Sequence, residues 1–150
     1  MLRGKGIIYF GRQHPIKDIP TLQAACGKLG LTFDIVSDIP MNDIGAKIEA
    51  LSSHAIFVLP SKREAFPGAL LEAMALGRVC IASRTQGAEE LIEHGKNGFL
   101  FNVGDSEELA KLIDYCMKNN VDNMRIKARN SVREMTWSRI VDRLEAACVA

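Results

Sequence analysis

The chain has 150 residues, of which 47% are hydrophobic and 25% charged, so it suits one globular domain with a full core. A net charge of +1 argues against a partner such as nucleic acid or an anionic membrane, which a broad basic field would hold. An anion that binds here must therefore be held by a few well-placed groups.

The four cysteines favour a reduced, cytoplasmic protein. They lie in apolar stretches, and no two have the short spacing of a zinc site, so we interpret them as core residues rather than as metal ligands or disulfides: Cys26, Cys80, Cys116 and Cys148. The three histidines are scattered, and we expect no metal site. No signal peptide is predicted, because the first apolar run, residues 7–10, is too short. We expect the chain to be a fragment of a longer protein or an isolated domain.

Short apolar runs alternate with helical patterns along the chain. The first half predicts a strand at residues 7–10, a helix at 18–29, a strand at 32–36, a helix capped by Asn42 and a strand at 55–59. The second half predicts a helix at residues 67–76, a strand at 79–82, a helix at 86–93, a strand at 99–101, a helix at 105–119 and two tail helices divided near residue 136.

This order predicts an α/β fold: a Rossmann-like parallel sheet of about five strands with helices on both faces. In such sheets, ligands lie at the carboxyl ends of the strands, where the loops to the helices begin. Those loops begin at Gly11, Ser37, Ser61 and Ser83.

The helix after Pro60 begins like a phosphate site. Pro67 suits its first position, Phe66 cannot cap its backbone N–H groups, and Gly68 and Ala69 are small. The helix therefore presents free donors and the positive end of its dipole. A cap supplied by water or by a neighbouring loop is an equally good interpretation.

Two glutamates flank this helix start. Glu72 lies in a segment that is apolar nearly all round, so we expect it to be buried and to need a cation or ligand hydroxyls. It could reach a ribose, or it could pair with Arg63, Arg78 or Arg84. Glu64, in the preceding loop, could reach the far side of the phosphates, or it could be a solvated surface charge.

Several segments, in order, carry a family resemblance. They are Pro60-Ser61-x-x-Glu64 with Glu72, Gly87-Ala88-Glu89-Glu90-Leu91, Gly95-Lys96-Asn97-Gly98-Phe99-Leu100 and Thr136-Trp137. The first three are similar to the E-x7-E, G-x-x-E-L and G-x-N-G-x-L motifs of the retaining glycosyltransferases of family four, also called group 1. That family has the GT-B fold, and the chain resembles its C-terminal, donor-binding domain.

The resemblance implies that the substrate is a nucleoside diphosphate sugar, with UDP or GDP as its nucleotide. By the resemblance, Arg12 and Lys17 hold the diphosphate, Glu64 orients the sugar and Glu72 binds the ribose. Further donor contacts are implied at Gly11, Ser37, Ile39, Phe66, Pro67, Gly68, Ala69 and Leu71. The family transfers a hexosyl group with retention, and neither a cofactor nor a metal is implied.

Two features depart from the family pattern. In the family, a glycine usually follows the lysine that corresponds to Lys17. Here that position is Asp18, which could instead cap the next helix. Only one strand, residues 32–36, fits before residue 55, where the family usually has two. The loop after that strand would form the wall against the base, and it does not tell which base binds.

The resemblance also implies that the acceptor-binding half lies outside these residues. We expect a missing N-terminal domain or a partner subunit to hold a saccharide, lipid or other acceptor. The final helix, after Trp137, would lie near that partner. The protein is expected in the cytoplasm, or peripherally at a membrane through the missing domain.

Four other functions compete with this one. A non-catalytic nucleotide-sugar-binding subunit would keep the fold, but it has less need of Glu64. A sugar-nucleotide epimerase or a phosphorylase shares the GT-B architecture but has different motifs. A dinucleotide-dependent oxidoreductase is disfavoured, because Gly4 and Gly6 precede the first strand and no G-x-G-x-x-G follows it.

Overall fold

Five short apolar runs form one parallel sheet. The computed structural model describes residues 6–40 and 42–133. The strands are β1 (Ile7–Phe10), β2 (Asp34–Val36), β3 (Ile56–Leu59), β4 (Val79–Ser83) and β5 (Phe99–Phe101). They lie in the order β2-β1-β3-β4-β5, and each neighbouring pair is parallel. Every residue of β1, β3, β4 and β5 is buried, as a parallel sheet covered on both faces requires.

Six helices cover this sheet in the described residues. They are α1 (Ile19–Leu29), α2 (Ile44–Ser52), α3 (Gly68–Ala75), α4 (Gln86–Leu91), α5 (Ser106–Lys118) and α6 (Asp122–Arg133). Helix α1 packs against α5, and α3 packs against α6, so helices lie on both faces of the sheet. The predicted Rossmann-like α/β fold is confirmed. The predicted final helix, Trp137 and Cys148 lie outside the described residues.

The predicted cap of α2 is wrong by one residue. The carboxylate of Asp43, not the amide of Asn42, accepts the N–H of Ala46 at 3.0 Å. Both residue types favour this position, so composition alone does not separate two neighbouring candidates. One strand, β2, connects α1 to α2, as the length of that segment predicts.

The core contains the predicted reduced thiols. Cys26, Cys80 and Cys116 are buried and free. Burial raises the pKa of the Cys116 thiol to about 12, so it stays protonated at neutral pH. No helix among the described residues is long and apolar enough to span a membrane, and those residues include no group of three potential His, Cys, Asp or Glu metal ligands.

The strand order decides where a ligand can enter. Strand β1 lies between β2 and β3, so the connections that leave β1 and β3 diverge to opposite sides. In a doubly wound sheet of this order, the crevice opens beyond the carboxyl ends of these two strands. The loops that start at Gly11 and Ser61 are therefore brought together.

Candidate functional site

A cavity of about 320 Å³ opens beyond the carboxyl ends of β1 and β3. Its size and position suit a small-molecule site. It is lined by Tyr9, Phe10, Gly11, Arg12, Lys17, Leu59, Glu64, Phe66, Pro67, Gly68 and Ala69. Most of the residues predicted to bind or react with a donor therefore share one cavity. A larger cavity of about 500 Å³ lies between the start of β4 and α6, at the opposite edge of the sheet from these loops.

Lys17 and Glu64 form an ion pair inside this site. The Nζ of Lys17 lies 2.5 Å from Oε1 of Glu64, and the hydroxyl of Ser61 donates to the same oxygen at 2.8 Å. The side chain of Glu64 is only 9% exposed, and that of Lys17 is 20% exposed. Glu64 is therefore not a solvated surface charge. The residues assigned to two adjacent parts of the donor, its diphosphate and its sugar, therefore contact each other directly.

Tyr9 is a site residue that the sequence interpretation missed. Its buried hydroxyl donates to the backbone carbonyl of Arg12 at 2.6 Å, which holds the loop after β1. Burial, helped by the charge of Glu64, raises the pKa of Tyr9 to about 12, so the hydroxyl remains a donor. The sequence did contain a signal. Tyr9 carries the only polar side-chain group in the apolar strand of residues 7–10, and it lies two residues before Gly11.

The backbone conformation at position 11 and the closeness of the Tyr9 hydroxyl both favour glycine there. Its φ is +148°, and a Cβ at this position would lie 3.0 Å from the Tyr9 hydroxyl oxygen. Glycine thus allows the loop to pass over the phenol and to place Arg12 at the mouth of the cavity. The side chain of Arg12 is exposed and available to a ligand.

Asp18 occupies a backbone conformation that favours glycine. Its φ is +52°, in the left-handed region, which explains physically why a glycine suits this position. Its carboxylate accepts the hydroxyl of Thr21 at 2.7 Å and caps no backbone N–H group of α1. The capping interpretation is wrong for the side chain. The carboxylate is held by Thr21 and is not part of the cavity lining.

The start of α3 lacks a side-chain cap, as predicted, but Pro67 occupies the N-cap rather than the first helical position. The N–H of Gly68 donates to the carbonyl of Phe66 at 3.0 Å. The backbone amides of Gly68 and Ala69 are the two that were predicted to meet a phosphate. Because the Gly68 amide makes this turn hydrogen bond, the Ala69 amide is the one that lies at the helix start without it. The predicted contact Leu71 lies outside the cavity lining, and its side chain packs against the core.

The predicted burial of Glu72 is wrong. Its side chain is 43% exposed, and its Oε1 lies 3.5 Å from the Nζ of Lys47 on α2. Neither belongs to the main cavity. Both line an apolar groove between α2 and α3, beside Ile44 and Ile48. The predicted arginine partners are also wrong, since the cation that meets Glu72 comes from α2.

The predicted base-wall residues lie at the neighbouring strand end. The hydroxyl of Ser37 donates to Oδ1 of Asp38 at 3.3 Å, and Ile39 is partly buried against the core. Both follow β2, which pairs with β1 on the side away from β3. Among the described residues, Ser37 and Ile39 are not part of the lining of the main cavity.

Gly87 holds the Glu64 loop from behind. Its N–H donates to the carbonyl of Glu64 at 2.8 Å. A Cβ on Gly87 would lie 2.7 Å from Cδ of Pro67 and 2.8 Å from the carbonyl oxygens of Ala65 and Glu64. The start of α4 thus packs on the loop that carries the site glutamate, and only glycine permits this distance.

We expect Gly87→Ala to destabilise the fold by about 1–3 kcal/mol, because its methyl group meets backbone atoms that must shift. Gly27→Ala is a matched control. Gly27 lies within α1, and nothing lies within 4 Å of its added Cβ, so this change should stabilise the fold by about 0.5–1 kcal/mol. Urea unfolding of both variants measures the difference. Equal unfolding midpoints for the two variants would contradict this prediction, because they would show that the Glu64 loop accommodates the added methyl group without loss of stability.

Known proteins share this architecture. Over 100 residues, the chain is 39% identical to N-acetyl-alpha-D-glucosaminyl L-malate synthase of Bacillus anthracis. This match covers 65% of the present chain and 26% of the synthase. Over 90 residues, it is 37% identical to trehalose phosphorylase of Grifola frondosa, which covers 58% of this chain and 12% of that protein. The chain thus spans about a quarter or less of the length of these relatives.

The crystal structure of HepE from Anabaena, in complex with UDP and glucose, matches 98% of this chain and 48% of that chain. The TM-score is 0.79 at 21% identity, so this likeness shows the fold. The family of glycosyl transferases group 1 matches residues 9–135, which is most of the sequence. With a five-stranded parallel sheet like that of the GT-B glycosyltransferases, the chain belongs to the glycosyl transferases group 1 family.

Proposed function

We propose that this chain is the donor-binding half of a glycosyltransferase. It binds a nucleoside diphosphate sugar and transfers the hexosyl group, with retention, to an acceptor held outside these residues. The observation that carries the proposal is the convergence of Arg12, Lys17, Glu64 and the start of α3 in one cavity at the carboxyl ends of β1 and β3. Two cations and a helix N-terminus there suit a diphosphate.

The charges in the cavity match what such a reaction needs. As the bond from sugar to phosphate breaks, negative charge grows on the leaving diphosphate. Arg12 supplies a planar fork, Lys17 a point charge and Ala69 a backbone N–H, all on the lining of the same cavity. These groups oppose the growing charge more strongly in the transition state than in the ground state, which lowers the barrier.

Glu64 is arranged to hold the sugar. Lys17 and Ser61 both bind its Oε1, which leaves Oε2 for the hydroxyls of the hexose. Because Lys17 lies in the same cavity lining, the ion pair links the group that holds the diphosphate to the group that holds the adjacent sugar. Because these hydrogen bonds already fix the carboxylate of Glu64, it can orient the anomeric carbon without first losing side-chain freedom.

The acceptor must come from outside this chain in our proposal. A further domain or a partner subunit holds a saccharide, lipid or other acceptor against the Glu64 edge. We propose that the protein acts in the cytoplasm, either free there or peripherally at a membrane through that acceptor-binding part. Neither a cofactor nor nucleic acid is part of the proposal.

Thermal unfolding of the chain with UDP, GDP, ADP and CMP tests donor binding directly. A nucleotide at a hundred times its Kd adds about 2.7 kcal/mol to the free energy of unfolding. For a domain of this size, the midpoint should rise by roughly 5–10 °C. A shift with one nucleotide supports the proposal and identifies the base. No shift at millimolar concentrations of any of the four would contradict donor binding by this chain.

The ribose role of Glu72 remains a proposal, in which a ribose hydroxyl competes with Lys47 for the carboxylate. Their ion pair is long and half-exposed, so Glu72→Ala should change the stability of the free chain by less than about 1 kcal/mol. The same variant should bind the preferred nucleotide about tenfold more weakly by calorimetry, which corresponds to about 1.4 kcal/mol. Glu49→Ala, at an exposed carboxylate on α2, is the control and should bind normally. Unchanged affinity in Glu72→Ala would remove the ribose assignment.

A phosphorylase is the second candidate, because a trehalose phosphorylase is 37% identical over 90 residues. The motifs of this stretch therefore do not separate phosphorylases from transferases as clearly as the sequence interpretation expected. The same cations would then hold inorganic phosphate. Stabilisation by millimolar phosphate, with none by any nucleotide, would favour this candidate.

A further inference from the structure

A second concavity, of about 380 Å³, lies beside the first, and Glu64 belongs to the lining of both. Its walls are the loops after β3 and β4. It is lined by Lys62, Arg63, Glu64, Ala65, Arg84, Thr85 and Gln86. It opens at the same sheet edge as the proposed donor cavity, on the side of the Glu64 loop that faces α4.

The side chains of this concavity concentrate positive charge in a protein whose net charge is only +1. Lys62 and Arg63 are exposed and form no ion pair within the described residues. The carboxylate that shares this lining, that of Glu64, is already bound by Lys17 and Ser61. Within residues 6–40 and 42–133, no carboxylate therefore neutralises Lys62 or Arg63.

Arg84 adds a third cation. Its Nη1 lies 3.9 Å from Oε1 of Glu89, and the two side chains are 39% and 53% exposed. An ion pair this long and this exposed contributes little, so a ligand anion can replace Glu89 at small cost. A fork and a point charge on facing loops are suited to an acidic group.

Backbone hydrogen bonds hold the two walls in place. The N–H of Lys62 donates to the carbonyl of Ile16 at 2.8 Å, and the N–H of Arg84 donates to the carbonyl of Phe101 at 2.8 Å. The N–H of Gly87 joins the walls to each other through the carbonyl of Glu64. The concavity is therefore preformed, and a ligand need not order its walls on binding.

We propose that Lys62, Arg63 and Arg84 form a subsite for an acidic group of the substrate that reacts at Glu64. The group is a carboxylate, a sulfonate or a phosphate ester, carried either by the donor sugar or by the acceptor. The inference rests on the proposed function, because the role of Glu64 as the sugar contact places the reacting centre at this edge. An acidic substrate would supply the opposite charge that the described residues do not give to Lys62 and Arg63, whereas a neutral substrate would leave these cations to water.

Amide chemical shifts of the chain test the subsite without any nucleotide. Titration with glucuronate or glucose 6-phosphate should shift the resonances of Thr85 and Gln86, and neutral glucose should not. Lys62→Gln/Arg63→Gln should weaken this binding about fivefold to tenfold, and Lys111→Gln/Lys127→Gln, at exposed cations elsewhere, should leave it unchanged. Equal shifts with glucose, or unchanged affinity in the first double variant, would overturn the proposal.

The same spectra identify the source of the acid. A neutral nucleotide sugar is first added until the amide resonances of Gly68 and Ala69 no longer shift. If glucuronate or glucose 6-phosphate still binds under these conditions, the acceptor carries the acid. If UDP-glucuronate binds more tightly than UDP-glucose and Lys62→Gln/Arg63→Gln removes the difference, the donor carries it. Failure of the proposed function has a separate signature: no nucleotide shifts Gly68 or Ala69, whereas the acidic sugars still shift Thr85.

Discussion

If the proposed function is right, Glu64→Gln should lower kcat by about 10²–10³-fold when the chain acts together with the proposed acceptor-binding part, while nucleotide binding is kept. The carboxylate is nearly buried and held at Oε1 by Lys17 and Ser61, so glutamine preserves its shape but not its charge. Loss of one preorganised electrostatic contact to a transition state costs about 2.7–4 kcal/mol. Steady-state turnover and calorimetric binding of the free nucleotide measure the two effects separately.

The direction of the nucleotide effect follows from the ion pair. Glu64 neutralises Lys17 in the free chain, so Glu64→Gln releases that cation for the diphosphate. We expect the nucleotide to bind as tightly as to the wild type or more tightly. Ser61→Ala is the matched control, because it removes the other bond to Oε1 and leaves the charge, so its loss of kcat should be smaller. An equal loss of nucleotide and nucleotide-sugar affinity in Glu64→Gln would contradict the sugar assignment.

Arg12→Ala should remove most of the stabilisation that the preferred nucleotide gives. A charge-assisted hydrogen bond to a phosphate contributes about 1.5–3 kcal/mol, which is comparable to the 2.7 kcal/mol or so of stabilisation at a hundred times Kd. The free variant should unfold close to the wild-type midpoint, because the side chain is exposed and Tyr9 binds the backbone carbonyl of residue 12 rather than its side chain. Thermal scans with and without nucleotide measure both effects.

Arg129→Ala is the control for this result. Arg129 is an exposed arginine on α6, at the opposite edge of the sheet from the cavity proposed to bind the donor. Its removal takes away the same charge and should leave the nucleotide shift intact. A full nucleotide shift in Arg12→Ala would show that the cavity between β1 and β3 is not the diphosphate site.

Chain order and apolar periodicity were enough to predict the sheet. A buried parallel strand appears in the sequence as a continuous apolar run, and β1, β3, β4 and β5 all do so. The loops that start at Gly11 and Ser61 could be placed at one edge, because the carboxyl ends of parallel strands share an edge. The motif of Glu64 and Gly87 pointed to the family before any contact was known.

Side-chain partners were not predictable in the same way. The periodicity of α3 shows a helix that is apolar nearly all round, but it does not show which neighbour covers it. Helix α2 leaves Ile44 and Ile48 exposed and brings Lys47 to Glu72, so the carboxylate is half-exposed rather than buried. Asp18 is similar, because a sequence does not reveal that its φ is positive.

The sequence by itself determined the α/β class, the order of the elements, the buried thiols Cys26, Cys80 and Cys116, and the loops at the carboxyl ends of the strands, because these follow from local composition and chain order. Only the tertiary structure decided that Lys17 meets Glu64, since the two lie 47 positions apart. It also decided that Tyr9 holds the Arg12 loop and that Gly87 supports the Glu64 loop. Such contacts depend on how strands β1, β3 and β4 align in the sheet, and that alignment is set by the packing of the whole core rather than by any one segment.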